Sequence, residues 1–252
     1  MRLLIIGNSH VGSLKRGWDL LKHELRVLPG IDLRFAAVVG DGLSLLETDN
    51  CVLKSEIKWI TNSIKLTFGE SEINLKKLNP DAILFYGLSL PFPYYFFKRC
   101  RVNGYSSAFL ADALANISSD WGVKFIKKTR FCCNAKFFLS EPFRADEKVI
   151  DEKKYPDDSA VRKEMNDVFS WANNNFFNKI GVEYFTQPFH TMNAARKRTK
   201  YEYTIGSRRL IGSDQVDGEL HPQDDRDHMN ELFGKELLVE FLDYVEKKLQ
   251  EK

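Results

Sequence analysis

Leu3-Leu4-Ile5-Ile6-Gly7-Asn8-Ser9-His10 is the stretch that decides how this chain folds. Four apolar residues in a row suit a strand buried on both faces, and the run stops at a small, polar turn. Beyond the turn, Val11, Leu14, Trp18, Leu21 and Leu25 recur at helical spacing. Strand, tight turn and helix together place Ser9 at the carboxyl end of a strand and at a helix N-terminus. Open α/β sheets bind ligands there, and backbone N–H groups can stabilise an anion. Serine and asparagine also cap helices for structural reasons alone. The turn by itself therefore leaves both readings open.

The far end of the chain adds a second motif. Asp224-Asp225-Arg226-Asp227-His228-Met229-Asn230 precedes a stretch with Leu232, Phe233, Leu237, Leu238, Phe241, Leu242 and Val245 at helical spacing. Asp225 and His228 are three apart, so in a turn entering a helix their side chains can lie on one side. An acid beside an imidazole fixes its tautomer and stabilises the imidazolium, as the general base of a nucleophilic serine requires. The same acids would favour the positive end of the helix whether or not they did chemistry.

Taken together, Gly7-Asn8-Ser9-His10 resembles the first block of the SGNH (GDSL-type) hydrolases, and Asp225-Arg226-Asp227-His228 their final Asp-x-x-His block. The resemblance implies Ser9 as nucleophile, His228 as base and Asp225 as its orienting partner. It also implies a flavodoxin-like three-layer α/β/α fold around a parallel five-stranded sheet. Members usually carry Gly-x-Asn-Asp after the third strand, with the Asn side chain donating to the oxyanion. Here that place reads Gly87-Leu88-Ser89-Leu90, so the Asn is missing. The oxyanion donors implied are the Ser9 N–H and the N–H of a glycine in Gly40-Asp41-Gly42, with Gly40 preferred. Ser89, or an Asn from another segment, would supply the third. His10, Tyr86 and Gly87 are the residues expected to contact substrate. Losing one donor of three costs roughly 10²–10³ in rate, so a slow enzyme is expected.

Composition sets the outer bounds. At 252 residues, with 43% hydrophobic and 29% charged residues, the chain is expected to be one globular domain. A formal charge of +2 gives no reason to expect nucleic acid or an anionic membrane as partner. Met1-Arg2 followed by four strongly apolar residues is too short for a signal peptide, and no run is long enough to span a membrane. A cytoplasmic protein is the expectation. Cys51, Cys100, Cys132 and Cys133 show no metal-ligand spacing and are expected to be free thiols.

Further strands are expected at Ile31 to Val39, at Ala82-Ile83-Leu84-Phe85-Tyr86-Gly87, at residues 135–140 and at residues 182–186. The last two are closed by Pro142 and Pro188. Val161, Met165, Val168, Phe169, Ala172 and Phe176 mark a helix between them. Strands separated by helices argue for a parallel sheet covered on both faces. Two stretches depart from that plan. Alternation in residues 51–75 suggests a β-hairpin excursion, and residues 190–224 read as a long ordered loop.

The expected chemistry is acyl transfer from an O-acyl ester, the substrate being a small molecule or a carbohydrate. Hydrolysis, O-acyl transfer to a sugar hydroxyl, and a catalytically inactive binding protein on the same fold are the three readings. A histidine base must be neutral, so turnover should rise through weakly acidic pH. No cofactor is expected. A metal is not expected either, although the stretch from His221 to His228 is rich in His and Asp, and His190 sits in a polar loop. Phe85, Tyr86 and the aromatics of Pro91-Phe92-Pro93-Tyr94-Tyr95-Phe96-Phe97 could pack inside or line an acyl or sugar pocket.

Overall fold

The computed structural model describes residues 1–24, 30–88, 94–118, 120–145, 159–193, 198–210 and 218–251. Leu25, Ser89 and residues 90–93 lie outside them, as do parts of the 190–224 segment. Five strands form the central sheet: β1 (Arg2–Gly7), β2 (Asp32–Ala37), β3 (Ala82–Tyr86), β4 (Lys136–Ser140) and β5 (Glu183–Tyr184). Their order is β2-β1-β3-β4-β5 and every pairing is parallel. This is the flavodoxin-like order, in which the chain leaves β1 toward one side of the sheet and returns for β3 on the other. The crevice at that reversal opens beyond Gly7, where Ser9 follows.

Alternation along the strands sorts the core into two layers. Leu3 and Ile5, with Ala82, Leu84, Tyr86 and Phe138, face helix α1 (Val11–His23) and the last helix, Glu231–Gln250. Leu4, Ile6, Ile83, Phe85, Phe137 and Leu139 face the opposite way. That layer is covered by α2 (Lys58–Phe68), α3 (Tyr94–Asn103), α4 (Ser107–Ser118), α5 (Trp121–Arg130) and α6 (Ser159–Ala172). The last helix is α7. A sheet covered on both faces explains why these strands read as continuous apolar runs rather than as alternating ones.

Both edges of the sheet are closed by side chains, which removes exposed ladders that would invite aggregation. On β2, the Thr67 hydroxyl of α2 accepts the Ala37 N–H at 3.0 Å. On β5, the Asn173 amide accepts the Tyr184 N–H at 2.7 Å and donates to the Tyr184 carbonyl at 3.1 Å.

The hairpin expected at 51–75 is displaced. The hairpin is Glu47–Asp49 with Val52–Lys54, turning through Asn50 and Cys51 at positive φ, and Ile73–Asn74 adds a third antiparallel strand. Residues 58–68, read as strand, form α2 instead. Ile60, Ser63 and Ile64 are its buried residues, the i, i+3, i+4 spacing of a helix, while Trp59 and Leu66 remain exposed. The aromatics around residue 94 belong mainly to the interior. Phe85, Tyr94 and Phe97 are all at most 4% exposed, and Phe97 packs on Phe176 and Phe177. In the 190–224 segment, Met192–Asn193 pairs antiparallel with Arg198–Thr199, and Arg208 bridges Leu220.

No helix among the described residues is long and apolar enough to cross a membrane.

Candidate active site

Residues 8–13 turn tightly out of β1 into α1. Val11, Gly12 and Ser13 donate their N–H groups to the Asn8, Ser9 and His10 carbonyls at 3.1, 3.0 and 3.3 Å. The His10 N–H goes to Asn8 Oδ1 at 3.1 Å. Among the described residues the Ser9 N–H meets no acceptor, so it is open to an incoming anion.

The Asp225–His228 turn comes from the other end of the chain and is fixed independently. Its Arg226 carbonyl accepts the Ala145 N–H at 3.0 Å, and Asp227 pairs with Arg144 at 3.2 Å. Asp225 Oδ1 accepts the N–H groups of Asp227 and His228 at 2.9 and 3.0 Å. The cap of α7 is Asn230, whose side chain accepts the Phe233 N–H at 3.1 Å. Asp225 is thus free of the capping role that its position also suited.

The two ends meet. Ser9 Oγ lies 2.9 Å from His228 Nε2, and His228 Nδ1 lies 2.9 Å from Asp225 Oδ2. With Nδ1–H donating to the carboxylate, Nε2 is left as an acceptor for the serine hydroxyl; the tautomer follows from this network. The helices behind the two groups touch backbone to backbone. A Cβ on Gly17 of α1 would lie 2.2 Å from Lys235 N, and one on Gly234 of α7 would lie 1.9 Å from Ser13 O. Only glycine at both positions lets α1 and α7 come this close.

The other expected site residues fall into three groups. Gly40 lies three residues beyond β2, at the sheet edge Ser9 occupies, with φ +57° and open space where a Cβ would be. Gly42 spends its N–H on the Val39 carbonyl at 3.2 Å, which leaves Gly40 the better placed of the two. Ser89 is outside the described residues. Tyr86 and Gly87 are both buried, Gly87 directly behind the Asn8–His10 turn, rather than exposed at the site. Tyr86 sits on the strand face that points at α1, and burial pushes its phenol well above the usual range. Gly87 gives its N–H to the Ser140 carbonyl at 3.1 Å. At φ +70°, it leaves room for side chains that a Cβ would strike, Asn8 Oδ1 at 2.5 Å and His10 Cδ2 at 2.8 Å.

His10 and His221 flank His228 on either side. The His10 ring stacks on it with centroids 5.0 Å apart, and the His221 ring at 3.9 Å and 12°. His221 Nδ1 also lies 3.1 Å from Asp225 Oδ2. Sequence reasoning left His221 as a loop residue. The signal was its spacing, four residues before Asp225, which brings a second imidazole to the same acid.

Burial holds both flanking histidines near pKa 4. For His10 and for His221 the neighbouring His228 adds to that effect, and Asp225 opposes it. Burial alone would raise the Asp225 carboxyl, but the His228 N–H and ring and the Asp227 N–H together hold it below its usual value. His190 stands apart on the surface, paired with Glu236 and Glu240.

His221, Asp225 and His228 bring three possible metal-binding atoms within 4.8 Å of one another. Both ring nitrogens point at one carboxylate oxygen, however, and the rings are nearly parallel. The two nitrogens and the carboxylate oxygen are thus engaged with one another at hydrogen-bond distance, the arrangement of a hydrogen-bonded cluster.

The lowered histidines make a pH prediction. An unfolded histidine takes up a proton near ~6.5, whereas His10 in the folded chain waits until about 4. The unfolded state therefore binds more protons between those values, and stability falls as pH drops through that window. His10 alone should cost about 2 kcal/mol by pH 5. The depressed Asp225 carboxyl acts only below this window. His221 acts in the same window, so urea midpoints at pH 7 and pH 5 should separate in the wild type and the gap should narrow without closing in His10→Asn; equal midpoints in the wild type would refute this.

No protein-family model matches the chain, and no curated protein matches it. Among solved structures, it is similar to the periplasmic domain of a Salmonella ser. Paratyphi A lipopolysaccharide acetyltransferase. The match has 17% identity and a TM-score of 0.46, and covers 97% of this chain and 83% of that one. That domain is periplasmic, against the cytoplasmic placement expected from residues 1–6, and the cytoplasmic expectation is withdrawn.

Proposed function

We propose that the protein transfers an acyl group from an O-acyl ester through Ser9. One observation carries this reading: the unbroken chain from Ser9 Oγ to His228 and on to Asp225, 2.9 Å at each link. It stands at the reversal point of a parallel sheet, beside the Ser9 N–H, which meets no acceptor among the described residues. Ser9 Oγ attacks the ester carbonyl carbon as His228 Nε2 takes the hydroxyl proton. The negative charge formed on the carbonyl oxygen meets the N–H groups of Ser9 and Gly40. The bond to the leaving alkoxide breaks as His228 returns the proton to it, and the acyl group stays on Ser9. Water or a sugar hydroxyl, deprotonated by His228, then takes the acyl group away. Asp225 holds the His228 tautomer and stabilises the imidazolium. His10 packs on the base and remains neutral at working pH. We take the substrate class to be small-molecule or carbohydrate esters.

A fluorophosphonate probe tests the reading directly, because it needs only an activated serine. The wild type should be labelled, and the modified peptide should contain Ser9. Folded protein that takes no label would refute the proposal and favour a binding role. Analysis of products with and without an added sugar acceptor separates hydrolysis from transfer.

The missing Asn makes a second test. If Ser89 stands at the oxyanion position, Ser89→Asn supplies a longer donor and should raise turnover of p-nitrophenyl acetate by up to ~10²-fold. An unchanged rate in both Ser89→Asn and Ser89→Ala would move the third donor to another segment. Asn8, whose amide already packs against Gly87, is then the residue to change next.

A further inference from the structure

Asp225 serves two imidazoles. Its Oδ2 lies 2.9 Å from His228 Nδ1 and 3.1 Å from His221 Nδ1, while Oδ1 is filled by two backbone N–H groups. His221 reaches this place on a segment with its own anchors. Its N–H donates to the Ser207 carbonyl at 2.9 Å, and the Arg209 N–H donates to Glu219 O at 2.7 Å. The Arg209 carbonyl accepts from Arg16 of α1 at 3.1 Å, and Leu210 lies against Gly12. The His221 side chain is 9% exposed, so it is a built part of the site.

We infer that His221 is a positioning residue for the acyl transfer proposed above, holding the Asp225 carboxylate and the His228 ring in register and tempering the pull of that carboxylate on the base. The inference rests on that functional reading. Its first element is geometric. A ring stacked at 3.9 Å closes one face of His228, and with His10 on the other the base has little freedom to swing away from Ser9. Its second element is electrostatic. A carboxylate oxygen shared between two N–H donors offers less charge to either one. When His228 takes the serine proton, the imidazolium it becomes is stabilised less than it would be by an unshared Asp225. The groups facing His221 are Asp225, His228 and Arg209, with His10 beyond. His221 itself stays neutral well below neutral pH, so it adds no charge that would repel the imidazolium.

Two replacements separate the elements. His221→Phe keeps a flat ring against His228 and removes the donor. His221→Asn keeps a donor near the place of Nδ1 and removes the ring. The readout is the rate of Ser9 phosphonylation by a fluorophosphonate from pH 5 to 9, with urea midpoints to verify folding. In His221→Phe the rising limb should move up by about 0.5 pH unit or more, because Asp225 is released to hold the imidazolium. In His221→Asn the limb should stay in place while the plateau falls about 10- to 100-fold as the ring support is lost. A limb that stays put in His221→Phe, or that moves equally in both variants, overturns the inference. A wild type that takes no label refutes the acyl-transfer reading instead, so the two failures are distinct.

Discussion

Ser9→Ala should lower ester turnover by about 10⁴-fold or more while leaving the urea midpoint unchanged. The size follows from how the group would act. Removal of Oγ deletes the atom that forms the acyl bond, so the two-step route closes and only direct attack by water remains. Stability should hold because Ser9 is partly exposed and, among the described residues, its hydroxyl bonds to His228 alone. Turnover of p-nitrophenyl acetate, followed with a matched His228→Ala variant, gives the check. The two replacements should be non-additive, the double variant being no slower than either single one, because both interrupt one proton path. Turnover in Ser9→Ala equal to the wild type would remove Ser9 from the mechanism.

Gly234→Ala should be strongly damaging to both stability and activity. Its Cβ would stand 1.9 Å from the Ser13 carbonyl oxygen and 2.4 Å from the carbon. Both atoms belong to the backbone of α1, so no side chain can rotate away and the helices themselves must part. Overpacking of this kind costs about 3 kcal/mol or more. Parting also acts on chemistry, because Ser9 precedes α1 by two residues and His228 precedes α7 by three. A 2.9 Å hydrogen bond between them does not survive a helix shift of an ångström, and such a misplacement can cost ~10²-fold in rate. Both losses should therefore appear together in Gly234→Ala, in urea midpoint and in fluorophosphonate labelling of the fraction that remains folded. A variant as stable and reactive as the wild type would show that α1 and α7 do not set the Ser9–His228 distance.

The sheet and its covering helices were legible because their signals are local and strong. Leu3 to Ile6, Ala82 to Tyr86 and Phe137 to Leu139 are unbroken apolar runs, and the helices after Ser9 and Asn230 have clear periodic stripes. Ser9, Asp225 and His228 stood out because each sits where a turn meets a helix and their chemistry is complementary. Short-range periodicity fails at residues 58–68, where Ser63-Ile64-Lys65-Leu66-Thr67-Phe68 alternates but Ile60 and Ile64 share a helix face. Tyr86 and Gly87 are both buried behind the Ser9 turn, a placement that strand pattern alone does not specify. Ala82, Leu84 and Tyr86 are the same face of one strand, and that face belongs to α1. For His221 the four-residue spacing to Asp225 was a signal, but the pairing of residues 207–209 with 219–221 is what turns its ring onto the acid.

Ser9 and His228 are 219 residues apart along the chain, and in the proposed chemistry each depends on the other. The contact between them has about the highest sequence separation the fold allows, and closing a loop of that length is among the slower and later events of folding. Any collapsed intermediate in which α7 has not yet docked on α1 carries an ordinary, unactivated serine. If Ser9 acts as proposed, the protein is latent until its tertiary structure is complete, and a partly unfolded copy does not cleave or transfer esters. Time-resolved labelling of Ser9 during refolding would report the docking of the final helix, a step that fluorescence or helix content would record earlier and less selectively.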